Sequence, residues 1–223
     1  MRWRLVSACA ALCAVLSVSA VAPAQQQWKK MRSVRGQVLT SPYQPPVRLK
    51  FNRAFKYVGR QYFVLYERAR AEQFYFVDAD RSGRIRRLYI VQFEGFLSNA
   101  EGRYDYSNQK TVELGGETYA ANAQIVPSIT AVLKQNPDSD AARAVAFLRG
   151  KGYEAGESVM FQRFVRVLDE TRRNEFIIIY VEDLSGTGLR AADFDEGGKA
   201  AAQKDRILEG LSARALKGFV ILK

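Results

Sequence analysis

The chain has 223 residues, 34 Lys+Arg against 23 Asp+Glu for a formal net charge of +11, two cysteines and no histidine. Without imidazole there is no Ser-His-Asp or Cys-His catalysis and no His-ligated metal or haem, and two thiols cannot build a thiolate zinc site or a disulfide scaffold. What remains is a basic chain, 48% hydrophobic and 26% charged, with the composition of an ordinary globular protein.

Residues 1–24 read as a cleaved secretory signal. Arg2 and Arg4 give a positive start, Leu5 to Val21 carries no charge, and Ala22-Pro23-Ala24 offers small residues for cleavage after Ala24, with Val18-Ser19-Ala20 as a second possible site. The apolar run is short for a bilayer span, so no transmembrane helix is expected after cleavage. Both cysteines, Cys9 and Cys13, fall in this segment. The remaining chain then lacks thiols as well as imidazoles, which fits a periplasmic or secreted protein in an oxidising compartment. The positive charge is uneven: residues 25–103 hold 16 Lys+Arg and 6 Asp+Glu, and residues 104–223 hold 16 and 17. An excess confined to one part suggests an anionic lipid, a cell-wall polymer or an acidic protein as partner.

Residues 25–50 read as an extended basic arm. They begin Gln25-Gln26-Gln27, pass through Lys29, Lys30 and Arg32, and end near Pro42, Pro45 and Pro46, where missing N–H donors exclude a helix or central strand. Residues 51–223 read as one globular domain. Strand signals follow over Phe51–Tyr57, Gln61–Glu67, Gln73–Val77 and Ile85–Phe93, rich in aromatic and β-branched residues. Residues 98–124 are polar, with turns at Ser98-Asn99 and Gly115-Gly116 and one short strand at Val112–Leu114. Helical spacing appears at Ile129, Val132 and Leu133 after Pro127, placed at N1, and again at Ala141, Ala144, Val145 and Leu148, with Asp138 or Ser139 as cap and Gly150 or Gly152 as stop. Met160–Leu168 and Glu175–Asp183 form a second hairpin. Phe176 to Val181 is apolar on both faces and belongs in the sheet centre. Lys199–Leu216 is an amphipathic helix and Phe219–Leu222 a last strand. The order βββ(β)-αα-ββ-α-β predicts a single-domain α+β fold, an antiparallel or mixed sheet with helices packed on one side, and a monomer.

Asp78, Asp80 and Ser82, with Gly83 and Ile85, match alternate positions of an EF-hand-type calcium loop. Position 12 is Tyr89 instead of Glu, the flanks are strands, and Arg81, Arg84, Arg86 and Arg87 oppose a cation. A hairpin tip is the better reading, and neither metal nor cofactor is expected. Basic and aromatic residues interleave at Arg60, Tyr62, Arg84, Arg86, Arg87 and Tyr89, a pattern that suits ligand contact. Nucleic acid is not favoured, because Arg60-Gln61-Tyr62-Phe63-Val64 lacks the small residues of an RNA-recognition strand. Glu94, Glu182 and Asp183 stand at strand ends, where a carboxylate pair could act as acid and base on a glycoside. Three functions are therefore open: a non-enzymatic binding module for an anionic or amphipathic envelope component, a cell-envelope carbohydrate hydrolase using a carboxylate pair, and an assembly protein that receives another chain at a sheet edge.

Overall fold

The computed structural model describes residues 32–222. The signal segment and the first part of the basic arm lie outside these residues. Among the described residues, eleven strands and three α-helices give an α+β fold. Seven strands make the main sheet: β4 (Lys56–Leu65), β5 (Ala69–Ala79), β6 (Ile85–Phe96), β7 (Lys110–Leu114), β8 (Glu117–Val126), β9 (Val159–Val167) and β10 (Asn174–Asp183), in the order β4-β5-β6-β10-β9-β8-β7. The second sheet has the order β1-β2-β3-β11, with β1 (Ser33–Arg35), β2 (Val38–Ser41), β3 (Val47–Phe51) and β11 (Phe219–Leu222). Every ladder in both sheets is antiparallel.

β10 lies mid-sheet, as its doubly apolar sequence requires. Phe176, Ile178 and Tyr180 face one core, and Ile177 and Ile179 face the other. The first core also contains Leu39, Leu49 and Phe51 of the small sheet, together with Leu211 and Ala215 of α3 (Lys204–Lys217). The second contains Tyr75, Leu88 and Ile90 with Ala144 and Leu148 of α2 (Asp140–Arg149). Helices α2 and α3 therefore cover opposite faces, not one side as expected. A sheet with no polar face needs a cover on each side.

Residues 33–51 are extended, but they are not a free arm. Leu39 and Leu49 are fully buried, and alternation in these short strands sends one side chain in two to the core. Arg32 fixes the entry to this sheet. Its guanidinium lies 3.6 Å from the Phe93 ring centroid, and its nitrogens donate to Glu72 at 2.9 Å and to the carbonyls of Tyr43 and Gln44. Burial draws the Arg32 pKa down from its ordinary value, against the hydrogen bond to Glu72.

The polar stretch before α1 (Ile129–Gln135) contains more strand than expected. Gly115 and Gly116 both adopt positive φ, at 62° and 85°, and turn β7 directly into β8, as a two-residue hairpin loop requires. Ser128 caps α1 by accepting from the Ala131 N–H, so Pro127 lies before the helix and not at N1. Ser139 caps α2 and Gly150 ends it, as expected.

Helix α3 ends at Gly218, where the Tyr89 hydroxyl occupies the space a side chain would need. That hydroxyl donates to the Ala215 carbonyl at the helix end. Gly218→Ala should destabilise the protein by about 1–3 kcal/mol, as overpacking does. Denaturant titration would show a lowered midpoint at unchanged slope, whereas an unchanged midpoint would mean that the helix end has room to shift.

Candidate functional site

Three of the expected ligand-contact residues meet two of the expected carboxylates at one end of the main sheet. Arg84, Arg86 and Arg87 enter β6 here, and Glu182 and Asp183 leave β10 beside them. α3 adds Arg206 and Arg214, and together these residues line a groove of about 980 Å³. The Asp80–Gly83 turn that places the arginines is self-closing. One Asp80 oxygen accepts from the Ser82 N–H at 2.8 Å, the Ser82 hydroxyl at 2.6 Å and the Arg84 N–H at 3.0 Å. These bonds, led by the Ser82 hydroxyl, hold the Asp80 carboxyl below its usual range.

Each carboxylate in the groove wall is already engaged. Asp78 accepts from Arg86 Nη2 at 2.6 Å on one oxygen and from Arg87 Nε and Nη2 at 2.8 and 2.5 Å on the other. Burial pushes its carboxyl up, and the two guanidinium groups more than reverse this, leaving it below the usual carboxylate range. Glu182 receives Nε and Nη2 of Arg214 at 2.9 and 2.8 Å and the Tyr180 hydroxyl. Asp183 receives Arg84 Nε at 2.9 Å and caps the following turn through the Ser185 N–H. The acids are nearly buried and the arginines half exposed. Each fork thus spends one edge on a fixed acid. Among the described residues, Nη1 of Arg84, Arg86, Arg87 and Arg214 makes no hydrogen bond, and Arg206 has no partner at all.

The calcium reading of the turn fails on these contacts. Asp78 faces two guanidinium groups, while Asp80 turns inward on its own backbone with Ser82, so the three side chains do not converge on one point. The glycosidase roles given to Glu182 and Asp183 fit poorly for a similar reason. Both are bound by arginine, and among the described residues neither has a second carboxylate free beside it.

Glu94 lies at the opposite end of β6, and its partner is Glu175, directly across the β6–β10 ladder on the α2 face. Tyr104 donates to Glu94 at 2.8 Å, Gln92 donates to its other oxygen, and Tyr106 donates to Glu175 at 2.7 Å. Burial pushes the Glu175 carboxyl up to about 8, against the Tyr106 hydrogen bond and with help from the Glu94 charge. Burial likewise raises Glu94, with the charge of Asp140 at the start of α2 adding to it. Arg163 on β9 opposes both shifts without an ion pair to either carboxylate. Gln73 donates to Gln92, and the Tyr75 hydroxyl and Gln61 join the same chain, so a polar row crosses β4, β5 and β6 beneath the apolar cover of α2.

The remaining expected residues lie elsewhere. Arg60 donates to the Arg32 carbonyl and stands 3.5 Å from Glu72, beside Tyr62, on the edge strand β4. Tyr89 is fully buried among Phe51, Phe55 and Tyr180, so it supports the core and not a ligand surface. Phe74, Tyr75, Phe76 and Phe93 are buried as well. The aromatic wealth of this region is packing, and an amphipathic contact face built on those rings is absent.

No family model, curated protein or solved structure matches the chain. The groove and the carboxyl pair therefore have to be read from their own chemistry. Sequence reasoning missed Glu175, Arg206 and Arg214. Glu175 opens an apolar strand, and only the register places it opposite Glu94. The i, i+4, i+8 row of Arg206, Gly210 and Arg214 was visible, but its neighbour was not.

The Glu175 shift makes stability depend on pH. Between about 4.5 and about 8 the folded state keeps a proton that the unfolded chain releases, so stability falls as pH rises through this window. Each pH unit costs at most about 1.4 kcal/mol. Thermal melts at pH 5 and pH 8 should show a falling Tm, and Glu175→Gln should flatten the fall and melt higher than the parent at pH 8. An equal slope in both proteins would show that Glu175 is not the group responsible.

Proposed function

We propose that the protein is an exported, non-enzymatic binding module whose arginine groove holds an anionic envelope component bearing phosphate or carboxylate groups. The observation that carries this reading is the set of guanidinium edges left unspent around the groove while every acid in its wall is occupied. Arginine presents paired donors in a rigid fork that fits planar or tetrahedral oxyanions, and buried acids fix the direction of each fork before a ligand arrives. Five arginines against three acids leave the groove positive. The excess of basic residues in the N-terminal part supports the same reading, since Arg84, Arg86 and Arg87 belong to it. Leu189 and Ile207 give the lining an apolar component, and Ser185 and Thr187 contribute hydroxyls. Export rests on the charge-free run after Arg2 and Arg4 and on the confinement of Cys9 and Cys13 to it.

A second reading keeps the hydrolase but moves it. Glu94 and Glu175 are the carboxyls whose pKa values are raised by burial and by a neighbouring carboxyl, the usual signature of an acid/base pair. On this reading Glu175 holds the proton, and loss of turnover in Glu175→Gln with the fold intact is the distinguishing result.

Calorimetric titration with inorganic polyphosphate tests the groove. Binding should weaken steeply between about 0.05 and 0.5 M salt, since exposed charges are screened within about 10 Å at 0.1 M. The pair Arg86→Ala and Arg206→Ala should lower affinity about tenfold or more, equivalent to about 1.4 kcal/mol. Salt-independent binding, or full affinity in the double variant, would remove the groove as the site.

A further inference from the structure

Helix α3 carries one glycine, Gly210, in the middle of its length and on the wall of the arginine groove. Glycine weakens a helix interior relative to alanine, because it loses more backbone freedom on folding. Neither the backbone nor the core calls for it here. Residue 210 is ordinary α-helix, with no positive φ. Beyond the helix's own backbone, a single atom among the described residues lies within 4 Å of the place a Cβ would take. That atom is Nη1 of Arg214, at 3.2 Å. Gly218, by contrast, is crowded by the buried ring of Tyr89.

The missing side chain leaves room in front of a particular donor. Arg214 follows Gly210 by one turn, and helical side chains lean back toward the N-terminus. The nearly buried Glu182 holds Arg214 Nε and Nη2 at 2.9 and 2.8 Å. The nitrogen that comes to lie over Gly210 is therefore Nη1, the one without a hydrogen bond. Arg206 precedes Gly210 by one turn and also lines the groove. The open floor at Gly210 thus lies between two arginines. It has an apolar border as well: Ile207, three residues earlier on the same face, and Leu189 from the segment after β10, both half-buried against the core.

We infer that the groove takes an amphipathic phosphate monoester, with its phosphoryl group over Gly210 against Arg214 Nη1 and Arg206 and its ester substituent on Ile207 and Leu189. This names the ligand class of the proposed binding function and rests on that reading. The bare helix surface at Gly210 is the space the phosphoryl group would fill. The donors favour a tetrahedral group over a planar one. Arg84, Arg86, Arg87 and Arg214 have each given Nε, Nη2 or both to an acid, so each offers one wholly free nitrogen. A carboxylate is best served by two parallel donors on one guanidinium edge, whereas three terminal phosphoryl oxygens take single donors from separate directions. Charge separates the monoester from the diester. Five arginines against three acids leave two positive charges, which a monoester dianion balances and a diester monoanion does not.

The test is calorimetric titration of the full chain with mono-n-butyl phosphate, di-n-butyl phosphate, butyrate and inorganic phosphate, each up to about 10 mM, which reaches millimolar Kd values. At about pH 7.5 a monoester with a second pKa of about 6 is a dianion. Mono-n-butyl phosphate should bind, inorganic phosphate more weakly for want of the apolar contact, and the diester and butyrate at least tenfold more weakly. Gly210→Ala should lower mono-n-butyl phosphate affinity at least tenfold while the melt stays cooperative. Arg206→Met, at an exposed residue, carries the same test without touching the helix backbone and should also weaken binding at least tenfold. Lys110→Met removes an equal charge at a second cleft, away from the groove, and should leave affinity within about twofold. Parallel titration with polyphosphate separates the two levels of the argument. If neither polyphosphate nor the monoester binds, the groove reading fails and this inference with it. If polyphosphate binds but the monoester does not, or the diester or butyrate binds equally well, or Gly210→Ala or Arg206→Met keeps full affinity, the groove reading stands and the monoester assignment is overturned.

Discussion

The central strands β6 and β10 are apolar on both faces through their middle, and much of the architecture follows from that constraint. A ladder that exposes Val91 and Ile178 to one side and Ile90 and Ile177 to the other must be covered twice. The small sheet with α3 supplies one cover and α2 the other. Charged groups are then confined to the ends of the ladder, and antiparallel pairing decides which groups meet. At one end Arg87 stands opposite Glu182, and at the other Glu94 stands opposite Glu175. The same two strands thus create an end where arginines and carboxylates gather, Arg87 with Asp78 and Glu182 with Arg214, and an end where two carboxyls oppose. The first becomes a groove that holds charge, and the second a polar row that holds a proton.

In the groove the acids matter more for direction than for attraction. A pair of charges taken out of water recovers little beyond its desolvation cost, so the Asp78–Arg87 and Glu182–Arg214 contacts are weak grounds for stability. Their effect is geometric. A buried carboxylate that grips one edge of a guanidinium leaves the opposite edge pointing at the groove with its rotamer already fixed. On the proposed reading, a ligand would meet donors whose conformational entropy was lost on folding and not on binding. Helix α3 extends this division of labour. Its positions 206, 210 and 214 complete the basic groove, while 205, 209 and 212 line a cleft of opposite character only part of a helical turn away.

Much of the fold could be read from the sequence because periodicity reports burial. The doubly apolar run Phe176–Val181 located the central strand, and the cap Ser139 with the stop Gly150 located α2. Harder positions depended on partners distant in the chain. Leu39 and Leu49 sit among prolines and basic residues, and only packing against main-sheet and α3 residues distant in the chain makes them core. Strand β8 was hidden because its inward positions Ala121 and Ala123 are small and poor strand formers. The site shows the same split. Arg84, Arg86 and Arg87 were legible as a basic cluster, but Arg206 and Arg214 reach them only through the packing of α3. Glu94 was legible as a strand-end carboxylate, and its true neighbour Glu175 follows from register alone. Tyr89 was misread because aromatic residues beside arginines look alike whether they face a ligand or the core.

Asp78→Asn separates orientation from net charge more directly than any arginine variant. The substitution removes one negative charge from the groove wall and releases the forks of Arg86 and Arg87. If attraction alone governed the site, polyphosphate affinity would rise in the more positive variant. If the buried acid positions the donors, affinity falls although the groove has become more positive. The account predicts the fall, measured by calorimetry at fixed salt on protein whose melting transition remains cooperative. A gain in affinity would contradict it.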